Sequence, residues 1–170
     1  MDNPNITTLP EAYKPLADYR QFILWKSVPQ PGGKVKKLPV DYRSLQPFKK
    51  GDDWQNSPNC WTDAANAIAL AKLCGNDIGV GFFFTANDPF FFLDIDNCLL
   101  PDNVTWSETA LTVLSHLPWS LVEVSQSGRG LHIIGSYTGT MPDHGCKNVS
   151  LGLELYSEKR FVAFSTGLLA

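Results

Sequence analysis

The chain has 170 residues, 44% of them hydrophobic and 18% charged, with a net charge of −3. That balance fits a folded domain with a sizeable core and excludes a disordered tail; no apolar run approaches the ~18 residues of a membrane span, and the net charge argues against a binder of polyanions at large. The opening Met-Asp-Asn-Pro-Asn lacks the basic start and apolar stretch of a secretory signal, so a cytoplasmic location is expected.

In chain order, residues 10–18 read as a short helix opened by Pro10. Residues 21–27, Gln-Phe-Ile-Leu-Trp-Lys-Ser, read as a strand, 29–33 as a loop and 36–40 as a short strand whose Pro39 marks a sheet edge. Residues 43–60 are polar and irregular. Residues 62–74 form the clearest helix, rich in alanine and stopped by Gly75. Residues 78–85 and 89–94 read as two strands of a hairpin around Ala-Asn-Asp. A second helix spans 107–117 with Ser107 as its cap. Strands at 121–125 and 131–135 flank a Gly-rich turn, and 151–156 with 160–165 make a last strand pair. Strand pairs alternating with two helices favour an α+β fold over a doubly wound parallel sheet: a mixed, largely antiparallel sheet with helices packed on it. Residues 1–170 are read as one domain, expected to be a piece of a longer polypeptide because the sequence stops just past an apolar strand.

The charge is unevenly distributed. Between Arg20 and Lys50 lie eight basic residues against one acid, Asp41, which leaves this stretch at +7. A local basic surface on an acidic body suits phosphate groups, although an ordinary solvated face is the plainer reading. Trp25, Tyr42, Phe48 and Trp54 lie near these cations and can stack on bases, with core packing the better role for Trp25. Cys60, Cys74, Cys98 and Cys146 form no CxxC pair, which argues against a zinc site of the usual spacing and for reduced, partly buried thiols.

Three strands each place a titratable group among apolar neighbours. Phe-Phe-Phe-Leu-Asp-Ile-Asp, residues 90–96, ends on Asp94 and Asp96, which share a face because strand side chains alternate. Two like charges at the end of an apolar strand repel and resist desolvation, and a divalent cation relieves both costs. The plainer alternative is a strand running into an acidic loop, with Asp96 capping the next turn. The second element is Ser-Gln-Ser-Gly-Arg-Gly-Leu-His, residues 125–132. Gly128 and Gly130 let the backbone approach a ligand and turn N–H groups towards an anion, Ser125 and Ser127 offer hydroxyls, and Arg129 adds a fixed charge. His132 needs a polar partner if it faces the same way as the aspartates. The third is Gly-Leu-Glu-Leu-Tyr, in which Glu154 is costly to bury without a counter-charge. Brought together, the three carboxylates would suit Mg2+ or Mn2+ and a substrate's phosphates.

The order DxD strand, SxSGxGxH turn, then a Glu-Leu-Tyr strand followed by an Arg-aromatic strand resembles the catalytic core of archaeo-eukaryotic primases, and most of all the primase-polymerase domains of phages and plasmids. The resemblance runs from about Arg20 to Gly167 and includes FILWK, KKLPVD, DIGVGF, FFFLDID, VEVSQSGRGLHII and LELYSEKRFVAFSTG. It implies a modified RNA-recognition-like sheet beside a small N-terminal α/β unit. It implies template-directed nucleotidyl transfer with two Mg2+ or Mn2+ ions on Asp94, Asp96 and Glu154. His132, Ser127, Gly128 and Arg129 would contact the nucleotide, with Lys37 and Arg160 as further phosphate ligands. Tyr156 is the candidate side chain near the sugar. The implied partners are a dNTP or NTP, a single-stranded DNA template and primer, and a replicative helicase; no membrane is implied. Two other readings stand beside it: a DxD phosphatase, and a non-catalytic module that binds single-stranded nucleic acid.

Overall fold

The computed structural model describes residues 8–33 and 35–165; Lys34, the first seven residues and residues 166–170 lie outside the described residues. The basic-stretch reading at Lys34 and the signal-peptide reading at the N-terminus fall there. The chain divides into two compact units, Met1–Phe83 with Phe161–Phe164, and Phe84–Arg160 with Ser165–Ala170. Each carries one sheet, and every strand pair of known register is antiparallel. The α+β class is as expected. No helix among the described residues is long and apolar enough to cross a membrane.

In the first unit, β1 (Phe22–Pro29) lies between β2 (Val35–Val40) and β3 (Gly79–Phe84), and β9 (Arg160–Ala163) completes the order β2-β1-β3-β9. Phe22, Ile23, Leu24 and Trp25 are buried without alternation, as a central strand covered on both faces requires. Pro39 sits opposite Trp25 on β2, the edge strand, where its missing N–H breaks no ladder bond. The helix α1 (Ala64–Cys74) starts where the Asp63 side chain accepts from Asn66 N and stops at Gly75, whose φ of 60° continues no helix. Residues 11–18 form 3-10 turns rather than an α-helix, with Pro15 inside them removing a donor.

In the second unit the sheet runs β5 (Leu121–Val124), β6 (Leu131–Ser136), β4 (Phe90–Ile95), β8 (Leu153–Tyr156) and β7 (Lys147–Asn148). The helix α2 (Glu108–His116) is capped by Ser107, whose hydroxyl accepts from Ala110 N. Ala110 of α2 joins Ile95, Leu131 and Ile133 in one buried cluster, with Val113, Leu114, Val122, Val124 and Leu153 packed against it. One face of this sheet is therefore apolar and covered by α2. The alternate positions of the same strands fall on the other face.

Two expected hairpins do not form. β3 and β4 lie in different sheets, as do β8 and β9. β3 already has β1 and β9 as neighbours, and β4 has β6 and β8, so neither has an open edge for the other. The link between β3 and β4 is a side-chain-built turn: Asp88 accepts from Thr85 N at 2.7 Å and from Phe90 N at 3.0 Å. Such a turn can carry the chain between sheets without pairing the strands it joins.

Candidate active site

The register of the second sheet aligns one titratable residue from each of its strands. Glu123 on β5 stands opposite His132 on β6, His132 opposite Asp94 on β4, Asp94 opposite Glu154 on β8, and Glu154 opposite Lys147 on β7. Directly opposed residues share a face. The row therefore lies on the face away from α2. Side-chain exposure climbs along it, from 0% at Glu123 through 10% at His132 and 17% at Asp94 and Glu154 to 57% at Lys147. The row runs from a dry interior to a wet edge.

At the dry end, His132 Nδ1 lies 2.7 Å from Glu123 Oε1, and the other Glu123 oxygen accepts from Ser165 N at 3.0 Å. A fully buried carboxylate needs such partners. With Glu123 ionised, Nδ1 carries the proton and Nε2 faces Asp94 Oδ1 at 3.9 Å. Phe92 packs edge-on against the imidazole, with ring centroids 5.2 Å apart, and helps fix its plane. Glu123 is the member of the row that sequence reasoning missed. Its signal was the one read at Glu154, an acid alternating with apolar residues in Leu-Val-Glu-Val.

Asp94 sits in the middle of the row. Burial is the main influence holding its carboxyl above the ordinary range; His132 and Arg160 oppose this, while Asp96 and Glu154 add to it. Asp96 lies one residue beyond β4, exposed, with its N–H bonded to Gly152 O at 2.9 Å. Among the described residues its carboxylate accepts no hydrogen bond, so it does not cap the following turn.

The Gly-rich turn closes against this strand end. A Cβ at Gly130 would come within 2.8 Å of Ile95 O and 3.1 Å of Ser125 Oγ, and Gly128 adopts a φ of 73°. The N–H groups expected to meet an anion are used inside the turn: Gly128 N donates to Ser125 O, Gly130 N to Ser125 Oγ, and Arg129 N to Ser127 Oγ. The turn's exposed side chains, Gln126, Ser127 and Arg129, are what it offers a ligand.

At the wet end Glu154 is enclosed by donors. Lys147 Nζ bonds one oxygen; the Tyr156 hydroxyl, at 2.8 Å, and an Arg160 nitrogen, at 3.3 Å, bond the other. Burial alone would raise the Glu154 carboxyl, but these bonds and the two cationic charges outweigh it and hold the carboxyl low. Arg160 is stacked on the Tyr156 ring at 4.3 Å and lies 6.0 Å from the Phe92 ring.

Among the described residues no three His, Cys, Asp or Glu side chains already converge as a metal-binding group. The donor chemistry nonetheless fits a hard cation. Asp94 and Asp96 offer carboxylate oxygens, and Asp94 carries a burial and repulsion cost that a cation would relieve. Glu154 faces the same row, with its oxygens engaged by Lys147, Tyr156 and Arg160.

Lys37 belongs to the first unit, on β2 opposite Ser27, with its ammonium 5.7 Å from the centre of the Trp25 ring. Trp25 is fully buried. Phe48 and Trp54 stack on each other, 5.5 Å apart and 12° from parallel, which uses one face of each ring. Arg43 is paired with Asp41 at 2.7 Å.

No protein-family model matches the chain. Over 159 residues, 91% of its length, the chain is 31% identical to a protein named DNA primase-polymerase from Nitratiruptor phage NrS-1. It spans 20% of that relative's own length, so the likeness ties it to one part of a larger phage protein.

Proposed function

We propose that this chain is the catalytic core of a template-directed nucleotidyltransferase of the archaeo-eukaryotic primase superfamily, a DNA primase, a DNA polymerase or both. The observation that carries the reading is the alignment of Asp94, His132 and Glu154 in one cross-strand row, although they lie up to 60 positions apart in sequence. The likeness to a phage DNA primase-polymerase supports it.

Asp94, Asp96 and Glu154 are assigned to two Mg2+ or Mn2+ ions. When bound, these would supply charge stabilisation for in-line attack of a primer 3′-hydroxyl on the α-phosphate of a dNTP or NTP. The protein's part is positioning and electrostatics. His132 is held by Glu123, which fixes the ring; when the imidazole carries both protons, Nε2–H can donate to a phosphate oxygen without reorganising. Arg160, stacked on Tyr156, is a second fixed donor, and Ser127, Gly128 and Arg129 border the nucleotide. Lys37 and its basic neighbours are assigned to phosphates of the nucleotide or of single-stranded template. A replicative helicase remains the proposed protein partner.

The test is extension of a primed single-stranded template with dNTPs or NTPs and Mg2+ or Mn2+, with Asp94→Ala/Asp96→Ala alongside. Extension by the wild type, lost in a folded double variant, is expected. Extension retained in the double variant would sink the metal assignment. Template binding unchanged by EDTA, with no extension under any metal, would leave a non-catalytic nucleic-acid-binding module.

A further inference from the structure

The two cations on Glu154 are held in different ways. Arg160 lies against two aromatic rings, and its side chain is 34% exposed. Lys147 sits on β7, a strand of two residues at the edge of the sheet; its side chain is 57% exposed, and Glu154 is its ion-pair partner among the described residues. An ammonium on a four-carbon stem is also the easier of the two to detach, because it lacks the rigid fork of a guanidinium. Glu154 thus has one fixed counter-ion and one releasable one.

The releasable one stands on the oxygen that a cation would need. Glu154 Oε2 already takes Tyr156 and Arg160, whereas Oε1 takes Lys147. Asp94, the next acid in the row, has the His132 ring at 3.9 Å but no lysine or arginine within ion-pair distance among the described residues, and remains the costlier charge. A divalent cation shared by Asp94, Asp96 and Glu154 would therefore be repelled by Lys147 and would compete with it for Oε1.

We propose that Lys147 is an internal counter-ion which a divalent cation displaces from Glu154, and that the displaced ammonium then binds the phosphates of the incoming nucleotide. The inference rests on the metal reading above and adds a residue to it. Before a cation arrives, Lys147 keeps Glu154 neutralised and in place. Afterwards the same charge is free at the exposed end of the row, where a triphosphate is the next anion to enter.

The experiment is titration of Mn2+ alone into the full chain, followed by calorimetry and by the electron-spin signal of free Mn2+. Lys147→Met should bind Mn2+ about fivefold more tightly than the wild type, the upper end of what one half-exposed ion pair is worth. Lys147→Arg, which keeps the charge, should not. With Mn2+ saturating, Lys147→Met should bind a nucleoside triphosphate more weakly. Because the side chain is exposed on an edge strand, both variants should keep the wild-type circular dichroism spectrum. Equal Mn2+ affinity in wild type and Lys147→Met would overturn the counter-ion role and leave the metal site standing. Tighter Mn2+ binding with unchanged triphosphate affinity would overturn the second step. No Mn2+ binding by either protein would remove the metal reading and this inference with it.

Discussion

Asp94 and His132 face each other across the β4–β6 pair, with His132 Nε2 3.9 Å from Asp94 Oδ1. The distance allows attraction without a hydrogen bond, and burial still dominates the Asp94 carboxyl and raises it. A carboxyl raised in the folded state stabilises the fold while protonated, and that contribution fades as pH climbs through its folded value. Asp94 thus costs stability at neutral pH when no cation is present.

The consequence is measurable by thermal unfolding. Asp94→Asn should raise the melting temperature of the cation-free protein at pH 7, by about 2–4 °C for each kcal/mol relieved in a chain of this size. The gain over wild type should shrink as pH falls and Asp94 takes up its proton. Mn2+ should raise the melting temperature of the wild type and leave Asp94→Asn nearly unmoved. A destabilised Asp94→Asn at pH 7 would show that the aspartate is held by its partners rather than strained by burial.

Glu123 carries the opposite expectation. Its two oxygens serve His132 Nδ1 and Ser165 N in a fully buried place. Glu123→Ala strips both partners and should cost about 3–5 kcal/mol, the range for breaking a buried charged pair. Glu123→Gln can still accept from His132 but sets an N–H against Ser165 N, and should cost less, about 1–3 kcal/mol. Urea unfolding of the two variants gives the ranking, and equal costs would mean that the hydrogen bonds matter less than the filled volume.

Much of this site was legible because strands alternate. The faces of Asp94, His132 and Glu154 follow from their apolar neighbours, and the cap at Ser107 and stop at Gly75 follow from local chemistry. Which strands lie side by side did not follow. Neighbours in sequence are the default partners of a strand, yet β3 lies between β1 and β9 instead of beside β4, and β8 lies between β4 and β7 instead of beside β9. Glu123 was legible and overlooked: the hairpin of β5 and β6 was read correctly, and its register alone would have placed an acid opposite His132. Lys147 was not legible. It sits in a polar stretch, and a two-residue strand has no period to read.

The Gly-rich turn separates two roles of glycine. Gly128 has a φ of 73° and nothing within 4 Å of a would-be Cβ, so Gly128→Ala should cost about 1–2 kcal/mol of backbone strain and leave cation binding intact. Gly130→Ala would drive a Cβ to 2.8 Å from Ile95 O, which must shift the turn or the end of β4 beside Asp96. Cation binding should fall in the second variant and hold in the first. Comparable losses in both would mean that the turn acts through its flexibility and not through its packing on β4.

Arg160 gives the last expectation. Its guanidinium bonds Glu154, stacks on Tyr156 at 4.3 Å and leaves Nε buried without a hydrogen-bond partner among the described residues. A lysine there keeps the charge but loses the stacked plane and the fork. Arg160→Lys should therefore lower stability by about 1 kcal/mol, the order of a partly desolvated cation–π contact. It should also weaken triphosphate binding beyond what a retained charge allows, because a fixed guanidinium meets a phosphate with two donors at once. Tyr156→Phe keeps the ring under Arg160 and removes only the hydroxyl on Glu154. It should leave the stacking energy in place, so a stability loss as large as that of Arg160→Lys would trace the effect to the Glu154 hydrogen bonds instead of the stack.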